Sequence, residues 1–234
     1  MSQARGVVIL GGVAMKERAL AKVASTLYPG LPATLIPHGL FQLVNVRGAF
    51  AANTDALARA IDAYKGGSIV HIFSGSAFFS VPALAKWKDE RVKGVILDSI
   101  PYERREKKLM RVAGLPEALC GPAGAVARAF LVSKFVGATI EYTDMYFSAL
   151  ADARTFSPAS RVMVACSKND VITPVEDAQK FFSTAEKAWQ AQPGAPKLSA
   201  YWGSGSHALM ARDDAAGMGA AVRDFLKETD FQLR

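Results

Sequence analysis

Short apolar runs alternate with segments of helical periodicity along most of this chain. Val7–Leu10 is continuously apolar and predicts a buried strand, and Lys16–Leu27 follows with a helical pattern ended by Pro29-Gly30. Ala33–Pro37 predicts a second strand. Asp55–Tyr64 predicts a helix, with Asn53 or Thr54 at its N-cap and Gly66-Gly67 past its end. Ser68–Phe73 and Gly94–Leu97 predict the third and fourth strands, Arg161–Ala165 the fifth and Lys197–Trp202 the sixth. Helical patterns over Pro174–Gln190 and Ala215–Leu226 complete the alternation.

Strands that are apolar throughout, separated by helices, belong in a mostly parallel sheet covered on both faces. Right-handed crossovers then bring every strand's C-terminal end to one edge, where such sheets bind ligands. The rhythm breaks once, between Ser99 and Arg161, over about sixty residues of helical pattern without a convincing strand. We expect a single α/β domain over residues 1–234, with a helical cap inserted at about 100–160.

The residues with chemistry fall at predicted strand ends. Phe73-Ser74-Gly75-Ser76-Ala77 follows the third strand and opens a helix, which is the setting of the nucleophile elbow in α/β-hydrolases. Its tight turn asks for small residues two before and two after the serine. Ser74 breaks that rule at Ile72, and Ser76 breaks it at Phe78. Ser74 comes straight off the strand and is preferred. Asp170 lies in the loop after the fifth strand and His207 in the loop after the sixth, so the chain order is Ser, Asp, His. A serine hydroxyl needs an imidazole to take its proton, and a carboxylate to fix the imidazole tautomer. Asp98, at the end of the fourth strand, is the alternative acid. The oxyanion donors expected are the Gly75 N–H and that of Gly12 or Val13 after the first strand. His71, inside the third strand, reads as a core histidine. His38 stands at a strand end and reads as structural or pocket-lining.

These motifs resemble the transmembrane protein 53 family, a branch of the α/β-hydrolase superfamily. VVILGG and the helix up to LYPG, then LIPHG, HIFSGSAFF, VILDSIP, CSKNDVITPVED and SHALM stand in that family's order. Its elbow resembles HxFSxGG, so Ile72 is no departure, whereas Ser76-Ala77 replaces two glycines with small residues. The resemblance implies that Ser74, Asp170 and His207 occupy the family's triad positions. It also implies membrane association, often at the nuclear envelope, for a family whose catalytic activity is largely unassigned.

Composition narrows the partners. The 234 residues carry 28 Lys+Arg against 21 Asp+Glu, a net charge of +7. Part of that excess sits in Pro101–Arg111, where Arg104, Lys107, Lys108 and Arg111 recur at helical spacing and predict one basic face. Leu119–Ile140 is apolar but interrupted by Arg128 and Lys134, which suits a membrane interface better than a span. An anionic membrane surface or an acidic substrate therefore outranks nucleic acid, for which no reading motif is present. Cys120 and Cys166 have no metal-binding spacing, so we expect free thiols, no metal and no cofactor. Gly6–Ala14 fits a buried strand better than a signal-peptide core, and we expect an intracellular protein, cytoplasmic or peripheral to a membrane. The functional expectation is hydrolysis of an apolar acyl ester or thioester, or a lipid-like relative. The alternative is a non-catalytic adaptor or membrane-associated regulator on the same fold.

Overall fold

The computed structural model describes residues 4–13, 15–38, 46–102, 143–229 and 231. Six strands form one sheet: β1 (Arg5–Val13), β2 (Ala33–His38), β3 (Gly67–Phe73), β4 (Val92–Asp98), β5 (Arg161–Ser167) and β6 (Lys197–Gly203). Their spatial order is β2-β1-β3-β4-β5-β6, and every neighbouring pair is parallel. The helices are α1 (Glu17–Leu27), α2 (Val46–Ala63), α3 (Ala77–Trp87), α4 (residues 143–151), α5 (Val175–Gln190), α6 (Met210–Asp213) and α7 (Ala215–Glu228).

Side chains alternate across each strand and build two cores. On one face Val8, Leu10, Val70, Ile72, Val95 and Leu97 pack with helix residues including Leu57, Ile61, Val81 and Trp189. On the other, Val7, Ile9, Ile69, Phe73 and Ile96 pack with Leu20 and Leu27 of α1 and Val222 and Phe225 of α7. All seven residues of β3 are buried, as expected for a central strand with helices on both sides. That burial explains why SIVHIF shows no polar alternation.

One expectation changes. Helix α2 starts at Val46, so Asn53 and Thr54 lie inside it instead of capping it. The alanine-rich stretch ahead of them sustains the helix, and tertiary packing overrides their capping preference. Much of the expected cap, including the basic run at 104–111 and the apolar stretch at 119–140, lies outside the described residues. The described end of that connection packs onto the site's edge of the sheet. Tyr146 of α4 lies 4.7 Å from Phe78 of α3 between ring centroids, and its hydroxyl donates to the Pro101 carbonyl.

Close packing between sheet and α7 makes Gly94 a sensitive position. A Cβ there would lie 2.7 Å from the Phe225 ring and 2.9 Å from Ile69. Gly94→Ala should lower stability by about 1–3 kcal/mol through overpacking. Urea unfolding is the measurement, and adding Phe225→Leu should recover part of the loss.

Candidate active site

Three loops meet at the C-terminal edge of the sheet. The first is the turn after β3. Phe73 is still extended, whereas Ser74 has φ +49°, in the left-handed region that costs a side-chain-bearing residue roughly 1–2 kcal/mol. The turn continues as a 3-10 segment, Ser74–Ser76, into α3. The Ser76 hydroxyl donates to the carbonyls of Phe73 (2.8 Å) and Leu10 (3.3 Å), so it staples the turn to β1. Ser76, the alternative nucleophile, is thus engaged in backbone bonds, and Ser74 carries the hydroxyl directed at histidine.

Ser74 Oγ lies 2.7 Å from His207 Nε2, and His207 Nδ1 lies 2.8 Å from Asp170 Oδ2. The other Asp170 oxygen accepts the N–H groups of Ile172 (2.9 Å) and Thr173 (2.8 Å), which locks the buried carboxylate against rotation. With the carboxylate on Nδ1, that nitrogen bears the proton and Nε2 is free to accept from Ser74. His207 is partly exposed at the mouth of the site. Its loop is held by Asp213, which accepts the Ser206 N–H, and by Asp214, which accepts the Ser204 N–H and the Tyr201 hydroxyl.

Asp98, the alternative acid, faces elsewhere. Its Oδ2 lies 3.3 Å from His71 Nε2, and Tyr28 OH lies 2.8 Å from His71 Nδ1, all inside the core. Burial first, and then the Asp98 carboxylate, push the Tyr28 phenol well above its ordinary range, so it stays protonated and donates to Nδ1. His71 is the core histidine its place in the strand predicted.

A residue the sequence does not single out joins these parts. The Ser99 hydroxyl donates to Asp98 Oδ1 (2.9 Å), and Ser99 Oγ in turn accepts the N–H of Ala208, next to His207 (3.2 Å). Its carbonyl accepts the Thr173 hydroxyl (3.2 Å), and its N–H donates to Ala165 in β5 (2.9 Å). The only sequence signal for Ser99 is its position just past the end of β4.

Gly12 borders Ser74: a Cβ built on it would lie 3.0 Å from Ser74 Cβ. Its N–H donates to Met15 Sδ at 3.2 Å. Val13 continues β1 beside His38 of β2. Gly75 is buried in the turn immediately after Ser74. Among the described residues no group of three or more His, Cys, Asp or Glu is arranged to hold a metal ion. Burial raises the Cys166 thiol, whose sulfur lies 3.4 Å from the Thr173 carbonyl, so it packs as an inert neighbour of the Asp170 loop.

No family model and no curated protein matches the sequence. Solved structures do match. An esterase of Pyrococcus furiosus superposes with a TM-score of 0.61 at 15% identity, covering 97% of this chain and 82% of that one. The chain has the α/β-hydrolase fold. A bromoperoxidase from Bacillus anthracis superposes with a TM-score of 0.59 at 13% identity, covering 97% of this chain and 93% of its own. The resemblance to the transmembrane protein 53 family rests on sequence motifs alone. Among the described residues no helix is long and apolar enough to cross a membrane.

His38 is 2% exposed and stacks on Phe79 at 5.1 Å between ring centroids. Neither of its ring nitrogens has a hydrogen-bond partner among the described residues. Burial pulls its pKa from 6.5 down to about 4. The unfolded chain takes up a proton near pH 6.5 that the folded chain refuses until about pH 4, so stability falls as pH drops through that window. Between pH 7 and 4.5 the wild type should lose roughly 2 kcal/mol more than His38→Phe. Urea unfolding at the two pH values checks this, and equal losses would contradict it.

Proposed function

We propose that this protein is a serine hydrolase that cleaves an ester or thioester of an apolar acyl group. The observation that carries the reading is the unbroken hydrogen-bonded line from Ser74 through His207 to Asp170. In the first half-reaction Ser74 Oγ attacks the acyl carbon as its proton passes to His207 Nε2. The resulting imidazolium is stabilised by the Asp170 carboxylate, which stays ionised. Negative charge on the acyl oxygen falls to the N–H of Gly75 and that of Gly12 or Val13. Collapse expels the alcohol or thiol, which takes the proton from Nε2 and leaves an acyl-Ser74 ester. In the second half, water loses its proton to Nε2 and attacks the acyl carbon, and Ser74 leaves reprotonated.

The apolar acyl class is supported by the rim. Val171 and Ile172 follow Asp170 directly and are exposed apolar side chains. The esterase of Pyrococcus furiosus agrees in chemistry as far as its name goes. The sequence features behind a membrane-bound or adaptor role, the basic run and the apolar stretch, lie outside the described residues.

Hydrolysis of p-nitrophenyl esters of increasing acyl length tests the proposal. Wild type should turn over, and Ser74→Ala should remove enzymatic turnover. Asp170→Asn should lower kcat by about 10⁴-fold, because an amide no longer fixes the imidazole tautomer. An inert wild type, or a Ser74→Ala variant as active as wild type, would refute the mechanism. Ser99→Ala should lower kcat by between about tenfold and about a hundredfold with KM little changed, since Ser99 positions His207 without touching substrate.

A further inference from the structure

Directly after β1 the chain folds back on itself through two bonds between the same pair of residues. The Met15 N–H donates to the Gly12 carbonyl at 3.0 Å, and the Gly12 N–H donates to Met15 Sδ at 3.2 Å. The direction of Gly12's absent side chain shows what else is near. A Cβ there would lie 3.0 Å from Ser74 Cβ and 3.5 Å from Met15 Sδ. The thioether and the serine carbon therefore sit on the same side of Gly12. A thioether is a weak acceptor on a side chain with three rotatable bonds. It satisfies a backbone donor for as long as no stronger acceptor arrives.

We propose that Met15 occupies the acyl-oxygen position of the resting site through its contact with Gly12, and that oxidation of its sulfur by a peroxide closes that position reversibly. The proposal rests on the reading of Ser74 as nucleophile and Gly12 as an oxyanion donor. In the oxidation, the peroxide transfers one oxygen atom to Sδ and leaves as water or an alcohol. The sulfur gives up two electrons, and the peroxide O–O bond accepts them as it breaks. The sulfoxide oxygen is a much stronger acceptor than the thioether, and it is attached to the atom that already faces the Gly12 N–H. Substrate must then displace a firm hydrogen bond where before it displaced a soft one.

Accessibility separates Met15 from the buried sulfurs among the described residues. It is partly exposed, whereas Met163, Met210, Met218 and Cys166 are buried. Met145 is exposed but sits on α4, so its oxidation serves as an internal control. A methionine sulfoxide is returned to the thioether by methionine sulfoxide reductase, which makes the closure reversible.

The experiment compares wild type with Met15→Leu, a volume-conserving change that removes the sulfur. Each protein is treated with hydrogen peroxide, mapped for sulfoxides by mass spectrometry, and then reacted with a fluorophosphonate that labels an activated serine. Wild-type labelling should fall in proportion to Met15 sulfoxide, by about 10²-fold at full conversion, the usual cost of losing one oxyanion donor. Methionine sulfoxide reductase should restore it. Met15→Leu should keep its own untreated rate although Met145 is oxidised. Equal loss in Met15→Leu, or full labelling with Met15 fully oxidised, would overturn the proposal. The Gly12 amide resonance gives a readout independent of reactivity: it should move in Met15→Leu and again on peroxide treatment of wild type. An amide unmoved by either overturns the assignment of Met15, whereas untreated wild type that never labels Ser74 overturns the hydrolase reading.

Discussion

The joint on which this site depends is Ser99. Every polar group of that residue is used, and each bond runs to a different part of the edge: Ala165 in β5, Asp98 in β4, Thr173 beside the Asp170 loop, and Ala208 beside His207. Four non-glycine residues have positive φ among the described residues, and three of them, Ser74, Ser99 and Ala208, stand at this edge. Each such residue costs roughly 1–2 kcal/mol. Strain of that size persists only where surrounding bonds over-determine the backbone, and Ser99 is bonded directly to Ala208, another of the three. Behind it, Asp98, His71 and Tyr28 continue the network into the core, where water cannot compete for the bonds.

At the front of the site the balance is reversed. The Gly12 N–H donates to a thioether sulfur, and His38 lies buried with neither nitrogen paired among the described residues. The carboxylate of Asp170, by contrast, accepts two backbone N–H groups besides the imidazole. On the proposed mechanism, the arrangement is rigid where the proton is handed over and lightly bonded where the acyl oxygen enters. That division is what a preorganised acyl-transfer site requires: its dipoles are fixed before reaction, and little is lost in releasing the resting contacts.

The fold was legible because its signal is long and redundant. Six apolar runs at strand length, separated by helical periods, leave few sheets other than a parallel one, and β3 shows the fully buried pattern most clearly. Ser74, Asp170 and His207 were legible for a related reason, since each follows a strand and the edge gathers strand ends. Ser99 was not, because three of its four bonds run to residues remote in sequence, Ala165, Thr173 and Ala208, and none of these leaves a local pattern. The Met15 contact was hidden too, since a methionine after a glycine turn looks like ordinary core. Helix α2 runs through Asn53 and Thr54, whose strong capping preference suggests a later start and is overridden by the packed helix. The charge reading, centred on Arg104–Arg111, falls outside the described residues.

The central claim is that His207 stands hydrogen-bonded between Asp170 and Ser74, and proton NMR of the imidazole reads this most directly. The account predicts a far-downfield Nδ1 proton resonance for His207 that disappears in Asp170→Asn, shifts in Ser74→Ala and persists in Asp98→Asn. The Asp98 control matters because His71 makes a buried carboxylate contact of its own. A downfield signal that survives Asp170→Asn but vanishes in Asp98→Asn, or no such signal at all, would contradict the account.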